Sequence, residues 1–242
     1  MMNLLKEQVR QGRIAWMHFK ASRLKDIDIL GGIVVIVAPH PDDEVLGCGG
    51  LMQRLTAQGS EVHIVFMTGG ESSHGGCCEL SEEQIKKVRR KLACQINPSL
   101  GVDISHLHFL NYPDGGINKK SGETIHLKEL LVKLNPSTIF VPHWGEGWPD
   151  HLNSAEIVKE IMNDKATIYE YCVWMWYYNV WHLDWKHTQI FRMTASEHYQ
   201  KINAINSYTT PIAPCGCPWS GVLPMVLLRA TKWKNELFLI KY

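Results

Sequence analysis

The sequence predicts an α/β protein: a parallel sheet flanked by helices, with a short pair of strands near the C-terminal end. Three observations predict it. The run Ile33-Val34-Val35-Ile36-Val37-Ala38 is apolar throughout, as in a strand buried on both faces. Strand-like and helix-like segments alternate after it, an order that implies parallel strands joined by right-handed crossovers. At 242 residues with 45% apolar side chains, the chain can bury the core such a domain needs.

The elements follow in order. Up to about Asp28, Leu4, Leu5, Val9, Ile14, Trp16, Met17 and Phe19 interleave with Lys6, Arg10, Arg13, Lys20 and Arg23. This describes a basic amphipathic helix or pair of helices, an extension over residues 1–30. Packing on the domain is the favoured reading. Contact with a membrane surface or a partner is the alternative. Separately, a homo-oligomer is left open. Residues 31–242 read as one domain. Its first strand, Ile33 to Ala38, leads through Pro39-His40-Pro41-Asp42-Asp43-Glu44 into a helix beginning near Val45. Glu61 to Met67 is a second strand, ending in Thr68-Gly69-Gly70-Glu71. Ser81 to Ile96 is a helix opened by a Ser-x-x-Gln capping signature. His106 to Leu110 is a strand, Ile125 to Leu134 a helix, Ser137 to Val141 a strand and Asp150 to Met162 a helix. Thr167 to Trp176 is a fifth strand, and Leu223 to Arg229 with Glu236 to Ile240 form the closing pair.

Composition narrows the function. A formal net charge of +1 gives no general attraction to nucleic acid. Seven cysteines without framework spacing, and no secretory leader in the first thirty residues, point to a reducing cytoplasm. Glu170, His182 and Asp184 interrupt the aromatic stretch Ile168 to Trp185, so no transmembrane segment is expected there.

Chemistry concentrates at Pro39 to Glu44. One imidazole and three carboxylates at a strand end repel one another unless a cation neutralises them. His40 and Asp43 lie three apart, so one turn can aim both at an ion. A hydrolytic zinc site needs a third ligand and an open position, and His151, after the fourth strand, supplies it from the same sheet edge. Asp42, beside the ligands, is then the natural general base. The structural alternative is that the aspartates only cap the following helix.

These motifs, with Gly47-x-Gly49-Gly50, Thr68-Gly69-Gly70-Glu71, Tyr112-Pro113-Asp114-Gly115 and Pro149-Asp150-His151, resemble the ordered motifs of the PIG-L/LmbE family. Those are zinc-dependent N-deacetylases of N-acetylglucosamine-type sugars. The resemblance spans roughly Ile33 to Tyr242 and takes in Lys201-x-x-Ala204 and Glu236-Leu237-Phe238. It implies a Rossmann-like fold, Zn²⁺ on His40, Asp43 and His151, Asp42 as base, and substrate contacts from Glu71, Arg89 and Asp114. Asp150, adjoining the last ligand, joins the catalytic set. Many members carry a histidine where this chain has Trp148, and indole cannot shuttle a proton. His143, or Asp42 acting twice, is the expected substitute, with Glu146 a candidate contact for sugar hydroxyls.

The reading is removal of an acetyl group from an N-acetylated sugar or sugar conjugate. Two alternatives stand beside it: cleavage of another amide, such as a thiol–sugar conjugate, and sugar binding without turnover. Gly47-Cys48-Gly49-Gly50 lacks dinucleotide-loop spacing, and its glycines are expected to permit close helix–sheet packing. Cys77-Cys78 and Cys215-Gly216-Cys217 read as ordinary thiols. Trp174, Trp176, Tyr177, Tyr178, Trp181 and Trp185 form an aromatic cluster, read first as core and second as a sugar platform. His63, His106, His108 and His126 read as packing or surface residues. His182, His187 and His198 could fold over the site.

Overall fold

The structure is a computed structural model that describes residues 2–28, 31–76, 79–162, 165–178 and 183–241. Cys77, Cys78, Trp181 and His182 lie outside the described residues.

Its centre is a seven-stranded sheet. In chain order the strands are β1 (Ile33–Ala38), β2 (Glu61–Phe66), β3 (Leu107–Phe109), β4 (Thr138–Pro142), β5 (Thr167–Tyr171), β6 (Thr188–Arg192) and β7 (Asn235–Lys241). Across the sheet they run β3-β2-β1-β4-β5-β7-β6. The first five are parallel, and β7 is antiparallel to both β5 and β6. The chain thus winds outward from β1 to β3, then returns to place β4 on the other side of β1. Connections leaving β1 and β4 diverge, and a crevice opens between them at the C-terminal ends of the strands.

The central strands are buried on both faces, which is why β1 reads as an unbroken apolar run. Val34, Ile36, Ile64, Phe66 and Phe140 pack against α2 (Asp43–Ala57), α3 (Glu82–Ile96) and α6 (Ala195–Thr209). Val35, Val37, Val65, Ile139 and Val141 pack on the other side against α4 (Glu123–Leu134) and α5 (Pro149–Met162). The capping box at the start of α3 forms as expected, with Ser81 and Gln84 exchanging both bonds. A second box opens α6, from Thr194 and Glu197.

The N-terminal segment is one helix, α1 (Met2–Ala21). Ile14, Met17 and Ala21 join a third cluster with Met175, Trp176, Ile190, Val226 and Leu237. Buried Arg13 donates to the carbonyls of Met175, Trp176 and Tyr178. Leu5, Val9, Trp16 and Phe19 remain on the exposed face. No helix among the described residues is long and apolar enough to cross a membrane.

Two segments differ from expectation. β5 stops at Tyr171 instead of running to Trp176, because the backbone turns to give the N–H groups of Val173, Trp174 and Met175 to the Glu146 carboxylate. Leu223 to Arg229 is not a strand: Met225–Thr231 forms α7, with Val226, Leu227 and Ala230 buried at helical spacing. The partners of β7 are β5 and β6, and β6 has no counterpart in the sequence reading.

The glycines of α2 do serve close packing. A Cβ on Gly47 would lie 2.3 Å from the Tyr171 ring. One on Gly50 would lie 2.3 Å from Met193 Sδ, and one on Gly49 would crowd Lys201 at 3.2 Å. Through that gap Lys201 donates to the Leu46 carbonyl and to Glu236, while Glu236 accepts from the N–H groups of Gly50 and Leu51. This buried ion pair fastens α2 to α6 and β7.

Candidate active site

The crevice between β1 and β4 holds the Pro39–Glu44 loop, the start of α5 and the loop after β3. His40 and Asp43 lie close enough to share an ion, with Nδ1 and Oδ2 3.2 Å apart. His151 Nε2 stands 3.3 Å from the same Asp43 oxygen. Together the three offer one imidazole or carboxylate atom each within 4.8 Å of one another, a group able to hold a metal ion. His151 is fully buried, and neither ring nitrogen makes a well-directed hydrogen bond, although Asp43 and Glu146 lie 3.3 and 3.2 Å away. A buried imidazole aimed between two carboxylates, in a His/Asp/His donor set, fits a borderline divalent metal.

The electrostatics agree. Burial alone would neutralise both histidines, yet His40 is raised well above its ordinary value by Asp114, Asp150 and Asp43. His151 rises to about 9, because Asp43 and Glu146 outweigh burial. Burial likewise works against ionised Asp43, but His151 and His40 hold it well below the carboxylate range. The site is a pocket of negative charge that attracts positive charge, whether protons or a cation.

Asp42 does not cap α2. It occupies the cap position, but its side chain accepts no capping bond, and its φ of 135° lies where non-glycine residues are strained. Glu44 stabilises this turn from behind by accepting the Asp42 N–H at 2.9 Å. Asn97 and Tyr208 in turn hold Glu44. The Asp42 carboxylate lines the cleft and faces Arg89 Nη2 at 3.5 Å. Burial pushes it up to about 8, against the pull of Arg89.

The cleft, about 410 Å³, brings together His40, Asp42, Asp43, Arg89, Asp114, Trp148 and Asp150. Arg89 is the buried arginine of its pair, donating to the carbonyls of Gly70 and Pro41; Arg90 instead lies over the Phe109 ring. Asp114 reaches His40 Nε2 at 3.1 Å and accepts from Ser72 N–H. Asp150 accepts from Gly115 and Ile117 N–H, tying the loop after β3 to α5.

Four expected residues do not line the cleft. His151 lies just behind its wall, fully buried against Asp43. Glu71 accepts from the N–H groups of Gly69 and Asp114, so it braces two loops behind the wall. Glu146, expected at sugar hydroxyls, is fully buried behind His151, where it supports the ring and receives the backbone after β5. His143 is also fully buried, its Nε2 3.7 Å from Glu170. It stands behind the site and does not line the cleft. The wall includes residues the sequence did not single out: Ser72, Ser73 and the 220–223 segment. Trp174 belongs to it too, edge-on to Trp148 with ring centres 5.5 Å apart. Trp176 is core.

Fold and site together define a doubly wound α/β protein with a candidate metal centre at its topological switch point. The family model described as "PIG-L: GlcNAc-PI de-N-acetylase" matches residues 35–162, and the chain belongs to that family. It is 28% identical over 169 residues to a 1D-myo-inositol 2-acetamido-2-deoxy-alpha-D-glucopyranoside deacetylase of Corynebacterium glutamicum, covering 59% of this chain and 57% of that one. It is 30% identical over 124 residues to a probable N-acetyl-alpha-D-glucosaminyl L-malate deacetylase 2 of Bacillus cereus, covering 49% and 55%. The chain thus spans little more than half the length of these curated relatives. Among solved structures, the N,N'-diacetylchitobiose deacetylase of Pyrococcus horikoshii superposes with a TM-score of 0.60 at 26% identity, covering 72% of this chain and 68% of that one.

Proposed function

We propose that this chain is a zinc-dependent amidohydrolase that removes the acetyl group from an N-acetylglucosamine-type sugar or sugar conjugate. One observation carries the reading: His40, Asp43 and His151 converge beside Asp42, whose backbone is strained, and His40, Asp42 and Asp43 open on one cleft with His151 buried directly behind. The relatives named as deacetylases act on different N-acetylglucosaminyl compounds, which supports the shared acetamido group as the point of attack.

Bound at His40, Asp43 and His151, Zn²⁺ supplies a Lewis acid for the amide carbonyl and for water. The chain's own residues divide the rest. Asp43 and Asp150 both face His40 and orient it. Glu146 fixes His151 from the opposite side of the ring, as carboxylates do for metal-bound histidines. Among the described carboxylates lining the cleft, Asp114 and Asp150 accept backbone N–H groups and Asp43 is shared by the two histidines. Among the described residues, Arg89 alone stands opposite the Asp42 oxygens as an ion-pair partner, so Asp42 is the group placed to take a proton from the attacking water. With Trp148 in the cleft wall and His143 buried behind it, Asp42 also passes that proton to the departing amine. Trp148 and Trp174 present ring surface to the sugar. The free thiols of Cys48, Cys94 and Cys172 are consistent with a reducing cytoplasm as its compartment.

The test is acetate release from a panel of N-acetylhexosamine derivatives, including inositol, malate and oligosaccharide conjugates, by zinc-loaded protein. At least one should yield stoichiometric acetate and free amine, and Asp42→Asn should lose that activity while keeping its metal. No acetate from any member would overturn the deacetylase reading.

A further inference from the structure

At the far end of the sheet, a second cluster of metal-ligating side chains stands apart from the cleft. Glu61 opens β2, His63 follows two residues later on the same face, and His106 ends the short turn Ile104–His106 that leads into β3. The register Ile64↔Leu107, carried one step back, sets His63 beside His106. Glu61 Oε1 lies 2.8 Å from His63 Nε2 and 3.8 Å from His106 Nε2. The two imidazoles overlap with ring centres 4.2 Å apart. The three offer ligand atoms all within 4.8 Å of one another. Since a parallel strand rises ~3.3 Å per residue, the rest of β2 separates this group from the cleft end by roughly 10–16 Å.

We propose that Glu61, His63 and His106 form a second divalent-cation site, independent of the cleft, that clamps the β3 edge to β2. His63 is 4% exposed, so its ring cannot swing away to solvent. Its other nitrogen, Nδ1, is 3.0 Å from His108 Nε2. With Nε2 given to the metal, the neutral ring carries its proton on Nδ1 and donates it to His108, the kind of outer bond that fixes metal-bound histidines. Glu61 is half exposed and His106 partly so, which leaves an entry path and room for water as the remaining ligand. Two imidazoles and a carboxylate suit Zn²⁺ or its borderline neighbours better than Mg²⁺ or Ca²⁺.

The site is tested with metal-stripped protein and Zn²⁺ alone, by counting zinc retained after gel filtration and by following thermal unfolding. Wild type should retain two equivalents. His106→Ala and Glu61→Gln, changes at a partly exposed and an exposed position, should retain one and keep acetate release unchanged. His151→Ala should also retain one, and the His106→Ala/His151→Ala double variant none. Zn²⁺ at this second site should raise the unfolding temperature of wild type and of His151→Ala, but not of His106→Ala. One equivalent in wild type, or two in the properly folded His106→Ala protein, would overturn the proposal. Because His151→Ala keeps this site, its failure is distinct from failure of the cleft reading.

Discussion

Asp42 shows how much support a single reactive residue takes. Its left-handed backbone is held by Glu44, and Glu44 is held by Tyr208 and Asn97, more than fifty positions away in sequence. The acid–histidine motifs themselves were legible, because metal chemistry demands those residue types at those spacings. Their supports were not. Glu146 reads as one more polar loop residue, and only the fold shows three backbone N–H groups and His151 converging on it. Glu146→Gln should weaken metal binding by ~10- to 100-fold, as removal of such outer partners generally does, with the fold intact by circular dichroism. Competition against a chelator measures it, and unchanged affinity would deny Glu146 that role. At Gly47 the prediction concerns stability. Gly47→Ala forces a methyl group into the Tyr171 ring and should cost about 1–3 kcal/mol in urea unfolding.

Among the elements, α1 carries the clearest expectation. Its His18 ring stacks on Trp233 with centres 3.8 Å apart and meets Trp176 edge-on. Burial lowers His18 from 6.5 to about 4. The unfolded chain therefore takes up this proton first. The stability the neutral ring contributes is full above pH 6.5 and is lost as pH falls toward 4. His18→Gln should flatten the pH dependence of unfolding in that window, and an unaltered slope would show that the helix docks by other means. Elements with a strong local signal were legible, such as the capped α3 and the all-apolar β1. β6 and α7 were not, since their boundaries depend on what covers them. The Thr194-x-x-Glu197 box was a local signal for α6 that the sequence reading passed over.

At the scale of the molecule, the order of the strands places the site. Because β4 returns beside β1, His40 and His151 meet across the switch point, although 110 residues separate them in the chain. Alternation of strands and helices made the parallel sheet legible, while the antiparallel edge was visible only as a vague closing pair. Integrity of the whole rests on the buried Lys201–Glu236 pair, with both side chains 1% exposed. Lys201→Met leaves a carboxylate buried without its counterion and should destabilise the protein by roughly 3–5 kcal/mol. The double change Lys201→Met/Glu236→Gln should recover part of that loss in denaturant titrations. Additive losses would mean the two act separately.

That clamp also sets an order of events during synthesis. Every proposed cleft ligand has been synthesised once residue 151 is made, but the helix that begins at Asp43 waits for Glu236 to anchor its Gly50 turn. A nascent chain halted before β7 holds a full complement of ligands on an unfastened helix. Metal capture during translation would therefore precede the rigid geometry that hydrolysis requires, leaving the growing chain able to bind an ion before it can use one.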